Sequence, residues 1–141
     1  MDGILSDSSR CSGSIHIPQE IRSLIMDQIL ARYDERYSSG TNHMLLNIRF
    51  RGQFCYIGSL HEPPDPNDCS LKGETRDEYL NRFRSTPAPL CRLRYFSPEQ
   101  WSVSLYNYCK DLYEPSVFLS GSWEGTPEEA LDLVMQVYYP K

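Results

Sequence analysis

Residues 90–139 constrain the fold more than any other stretch of the chain. Three runs alternate apolar with polar residues, and Trp123-Glu124-Gly125-Thr126-Pro127-Glu128-Glu129-Ala130 follows them. Alternation with period two marks strands that bury one face, because successive side chains leave a strand on opposite sides. Thr126 before Pro127, with Glu129 three positions on, is a helix start. Threonine accepts from an orphan backbone N–H, proline has no N–H to leave unpaired, and the glutamates complement the positive helix end. Leu131, Val134, Met135 and Tyr138 then recur at helical spacing. The segment predicts an antiparallel sheet closed by a helix.

The rest of the chain extends this pattern. Residues 1–15, rich in Ser, Gly and Asp, predict a disordered leader, and residues 16–141 a single domain of ordinary size. A helix over 18–36 carries the stripe Ile21, Leu24, Ile25, Ile29 and Tyr33. Strands at 44–50 and 54–61 flank Arg51-Gly52. A two-residue loop there pairs Ile48 with Cys55 and Leu46 with Ile57, leaving Asn47, Arg49, Phe54 and Tyr56 on the other face. A three-residue loop pairs Phe50 with Phe54 and Ile48 with Tyr56 instead; the first register is preferred.

A connector with Pro63, Pro64 and Pro66 leads to Thr75-Arg76-Asp77-Glu78, a capping box opening a short helix that must end before Pro87. In the runs 90–96 and 101–109, an odd loop places Leu93 and Tyr95 on the face of Leu105 and Val103. Arg94 then lies opposite Ser104, and Arg92 opposite Tyr106. The last strand, 113–120, contains Pro115 and suits a sheet edge. The order α-β-β-α-β-β-β-α predicts an α+β fold, a five-stranded antiparallel sheet with helices packed on one face.

A net charge of −5 opposes a general role on nucleic acids or anionic membranes, which attract basic surfaces. Arg76, Arg82, Arg84, Arg92 and Arg94 nevertheless cluster within residues 76–94, against only Asp77 and Glu78. The ordinary account is a solvated helix face with strand arginines paired to carboxylates. Five cysteines, Cys11, Cys55, Cys69, Cys91 and Cys109, contain no Cys-x-x-Cys pair and predict reduced thiols. With no signal-peptide pattern and no apolar run that spans a bilayer, the expected location is cytoplasmic.

The main candidate site is the uncovered sheet face, which collects Arg49, Tyr56, Arg92, Arg94, Tyr106 and Tyr108 on the preferred registers. Arginine forks hold carboxylate or phosphate bidentately, and tyrosines supply rigid amphipathic area. Ordinary cross-strand packing on a wet sheet face uses the same residues. His16, His43 and His61 are far apart; His61 with Glu62 and Cys69, or with Cys55, is the one grouping that resembles a base and thiol. Loop polarity explains it equally well. Residues 120–125 run into a helix N-terminus, but Glu124, Glu128 and Glu129 already fill that positive end. Trp123 is expected to staple the helix entry rather than to stand exposed.

The segments Cys91-Arg92-Leu93-Arg94-Tyr95-Phe96, Ser120-Gly121-Ser122-Trp123 and Gly125-Thr126-Pro127-Glu128-Glu129-Ala130 resemble those of small uncharacterised bacterial proteins, found notably in cyanobacteria. The likeness covers about residues 43–139 and implies a stand-alone cytosolic domain, with no activity or functional residue to carry over.

The expected function is a non-enzymatic binding module that uses the open sheet face for a protein partner or for self-association, with no cofactor and no metal. One alternative is a small enzyme with a pocket near His61 and a cysteine. Another is single-stranded nucleic-acid binding, with bases stacked on the Arg/Tyr face.

Overall fold

In the computed structural model, which describes residues 16–39 and 44–140, five strands pair in the order in which they occur, each antiparallel to the next. They are β1 (Leu45–Arg51), β2 (Phe54–Leu60), β3 (Ala88–Ser97), β4 (Gln100–Asn107) and β5 (Leu112–Ser116). The helices are α1 (Gln19–Arg36), α2 (Asp68–Leu71), α3 (Arg76–Arg82) and α4 (Pro127–Tyr138). The fold is the expected α+β sheet, with one short helix, α2, that the sequence reading did not include. The leader, Cys11 and His43 lie outside the described residues.

Helices α1 and α4 cover one sheet face. Ile25, Ile29 and Tyr33 of α1, together with Ala130, Leu131, Val134 and Met135 of α4, share a core with Cys55, Ile57, Cys91, Leu93, Trp101 and Val103. Asp132 ties the two helices together: it accepts from Arg32 at 2.7 Å and from the Tyr37 hydroxyl at 2.6 Å. A smaller cluster of Tyr79, Phe83 and Ala88, with Leu71 and Tyr108 packed on it, holds α3 and the connector.

The starts of α3 and α4 form as expected. Thr75 accepts from the Glu78 N–H and Thr126 from the Glu129 N–H, and each glutamate returns the bond to the cap residue's own N–H. Helix α2 begins the same way, with Asn67 and Ser70 as the reciprocal pair.

The strand pairings correct the expected registers while keeping the faces. In the first hairpin Ile48 lies opposite Ile57, and Phe50 opposite Cys55. The turn residues are therefore Gly52 and Gln53, with Gly52 at φ 58°, the arrangement of a hairpin turn that needs glycine first. Between β3 and β4, Arg92 faces Ser104 and Arg94 faces Ser102, rather than Tyr106 and Ser104. Both pairings are displaced by two positions, so no side chain changes face. The odd spacing expected there arises from a two-residue turn, Pro98-Glu99, plus one extra residue at Phe96, where the ladder shifts. No helix among the described residues is long and apolar enough to cross a membrane.

Candidate functional site

On the sheet face away from α1 and α4, the guanidinium groups of three arginines lie over aromatic rings. The Arg49 guanidinium sits 4.3 Å from the Tyr56 ring centroid. Arg92 lies 4.7 Å from the Phe54 centroid and 5.2 Å from that of Tyr113, and Arg94 lies 5.3 Å from that of Phe96. The strands produce this: Tyr56 pairs with both Arg49 and Arg92, and Phe54 with Arg94. Among the described residues, none of these three arginines has an ion pair. The ordinary account of the arginine cluster holds for Arg76, paired with Asp65 at 3.0 Å, and for Arg82, paired with Glu74. It fails for Arg92 and Arg94.

A cleft of about 310 Å³ opens on this face between Phe54, Arg92, Arg94, Phe96, Trp123 and Glu124. Trp123 is 61% exposed, so the expected staple is not formed. Phe118 takes the interior place instead. It packs so tightly on Gly125 that a Cβ there would meet its ring at 2.9 Å, while Gly125 exchanges two backbone bonds of 2.9 Å with Trp101. Trp123 is left above the cleft.

The structure thus brings Arg49, Tyr56, Arg92, Arg94 and Tyr106 to the open face. Tyr108 lies beyond the end of β4, where its hydroxyl donates to the Pro89 carbonyl and its ring packs against Tyr79 and Phe83. Its phenol is raised well above the usual range by burial. Phe54, Phe96, Tyr113 and Trp123 are site residues that the sequence reading did not include. Alternation placed Phe54 on this face already, whereas Phe96 and Trp123 depend on a bulge and a loop path that leave no periodic signal.

The thiol grouping does not form. Cys69 and Cys109 are joined as a disulfide, with Cα atoms 5.1 Å apart, which corrects the expectation of reduced cysteines throughout. Cys55 and Cys91 are free but buried. Desolvation pushes the Cys55 thiol up to about 12 and Cys91 well above its ordinary value, so neither presents a thiolate near neutral pH. His61 is exposed, at φ 67°. Among the described residues no three His, Cys, Asp or Glu side chains are grouped to hold a metal.

A second concavity, of about 700 Å³, lies at the far end of the sheet between the connector and the end of α4. Tyr79, Tyr106, Tyr108, Tyr138 and Tyr139 contribute to its wall.

No family model, curated protein or solved structure matches the chain.

Proposed function

We propose that the protein is a non-enzymatic interaction module whose open sheet face binds a partner protein through acidic side chains. The observation that carries this reading is Arg92, whose guanidinium lies 4.7 Å from the Phe54 ring centroid and 5.2 Å from that of Tyr113, with no carboxylate paired to it among the described residues. A guanidinium that lies over an aromatic ring keeps the N–H fork at its edge available for a carboxylate. Exposed Trp123 and Phe96 beside it supply aromatic anchors.

Self-association through the same patch is disfavoured. A two-fold interface sets the same patch against itself, and would oppose the arginines of one copy to those of the other. Stacking of nucleic-acid bases is disfavoured because Phe54, Tyr56 and Phe96 already carry guanidinium groups on their faces, in a chain of net charge −5. The cytoplasmic location and the bacterial resemblance belong to this same reading. A cytoplasmic setting requires the Cys69–Cys109 bond to withstand a reducing environment or to cycle within it.

The test is binding of a glutamate-rich extended peptide to the wild type and to the Arg92→Glu, Arg94→Glu variant, with circular dichroism confirming that both fold. The peptide is expected to bind the wild type and to lose affinity about tenfold or more in the variant, as for loss of a charge-assisted pair. Undiminished peptide binding overturns the reading. So does tighter binding of a single-stranded oligonucleotide, or a dimer that the substitutions dissociate.

A further inference from the structure

The cleft on the open sheet face holds more donor capacity than one carboxylate can use. Arg92 and Arg94 occupy alternate positions of β3, so both side chains leave the same face, from Cα atoms about 7 Å apart. Ser104 and Ser102 stand opposite them on β4, and all four residues line the cleft. Each guanidinium offers a fork of N–H donors and each serine hydroxyl one more. Among the described residues neither arginine has an ion pair, although Arg92 is half-buried. Two unneutralised cations on one short stretch of strand repel each other until an anion joins them.

The rest of the wall narrows the choice of anion. Among its described residues Glu124 is the one acidic side chain; it accepts from the Gln100 amide at 2.7 Å and pairs with neither arginine. Glu124 lowers the pull on an anion without cancelling it, since two arginines stand against it. A carboxylate brings one charge and two oxygens, enough for a single fork. A phosphate monoester brings three acceptor oxygens and a charge of about −1.5 to −2 at neutral pH, enough to engage both. Trp123 stands exposed at the edge of the cleft, and among the described residues no guanidinium or second ring lies over it. Its indole is the ring of this wall that is left open for an incoming aryl group.

We propose that the cleft receives a phosphotyrosine side chain of the partner protein, with the phosphate held by Arg92 and Arg94 and the phenyl ring against Trp123. The proposal rests on the reading of the open face as a surface for acidic protein segments, and it names the acidic group. Phosphorylation of the partner then switches binding on, because unmodified tyrosine brings neither the charge nor the acceptor oxygens. A membrane rich in phosphoinositides offers similar phosphate chemistry, but the net charge of −5 opposes approach to an anionic surface.

The experiment is an anisotropy titration of the intact chain with four labelled glutamate-rich peptides that differ only at the central residue: phosphotyrosine, phosphoserine, glutamate or tyrosine. The phosphotyrosine peptide is expected to bind about tenfold or more tighter than the glutamate peptide, and the tyrosine peptide to bind most weakly. Arg94→Gln, which leaves one fork, is expected to bring the phosphotyrosine affinity close to that of the glutamate peptide. Trp123→Ala is expected to remove the advantage of phosphotyrosine over phosphoserine. Both side chains are exposed, so neither substitution threatens the fold. Equal affinity for the phosphotyrosine and glutamate peptides overturns the proposal and leaves the interaction reading standing, whereas binding of none of the four overturns both. Phosphoserine binding as tight as phosphotyrosine, or tighter capture by phosphatidylcholine vesicles that carry phosphatidylinositol bisphosphate, also overturns the proposal.

Discussion

Gly58 shows how a single position governs the sheet. It sits where β2 and β3 shift register, and a Cβ built on it would lie 2.8 Å from the Ala88 carbonyl oxygen. That oxygen belongs to backbone, so it cannot swing aside as a side chain does. The shift leaves Leu90 and Cys91 both buried, although they are sequence neighbours. Gly58→Ala is therefore expected to destabilise the fold by about 1–3 kcal/mol, measured as a fall in the urea midpoint with an unchanged slope. An unaltered midpoint would mean that β3 yields at no cost. Trp123 makes the opposite point at the same scale. Its place near a helix cap suggested interior packing, but the adjoining space belongs to Phe118, and the indole stays outside.

At the scale of elements, local chemistry was the most legible part of the chain. Thr75 and Thr126 each announce a helix because the cap, the reciprocal glutamate and the flanking apolar stripe all lie within one or two turns. Helix α2 has no comparable signal because it spans four residues and uses Asn67 with Ser70, a pair that also forms ordinary turns. Strand partners were less legible than strand faces. Which side chain is inside follows from alternation alone, whereas the opposing residue depends on where the turn closes. A displacement of two preserves the first and alters the second.

The connector is secured by contacts that no local pattern announces. Cys69 within α2 and Cys109 after β4 are 40 positions apart in sequence, and their bond pins the connector to the end of the sheet. Closing a loop of that length limits the unfolded chain and contributes roughly 2–4 kcal/mol. Cys69→Ser is expected to lower the thermal midpoint in non-reducing buffer and to make it insensitive to added dithiol. A wild-type midpoint that dithiol leaves unmoved would show that the bond does not form. The fold itself should survive, since the main core contains neither residue.

At the scale of the whole molecule, the tyrosines join the two hydrophobic clusters, the Tyr108 ring of one lying 6.3 Å from the Tyr138 ring of the other. Burial pushes the Tyr79 and Tyr113 phenols up to about 12, and raises those of Tyr108, Tyr138 and Tyr139 as well. An unfolded chain ionises its tyrosines near pH 10. The native state keeps these phenols protonated, so their contribution is intact below that pH. It is lost as the pH climbs toward the folded values, because the unfolded state alone gains the charged form. Alkaline unfolding is expected to begin at about pH 10, with the tyrosinate absorbance of these five residues and the loss of far-ultraviolet dichroism rising together. Ionisation of all ten tyrosines before any loss of dichroism would contradict this burial.

The sequence by itself determined the number of strands, the long helices and their starts, and the faces of the sheet. Each follows from interactions within a few residues or from a period the backbone imposes. It also placed Arg49, Tyr56, Arg92 and Arg94 together, since parity survives an error of register. Only the tertiary structure decided that these arginines lie over rings, that Cys69 meets Cys109, that Trp123 stands outside, and that tyrosines from β4, α3 and the end of α4 wall a common cavity. Those outcomes are contacts between segments far apart in the chain. They depend on which strand residues are paired and on the space left after the larger side chains pack, and neither is written in any local pattern.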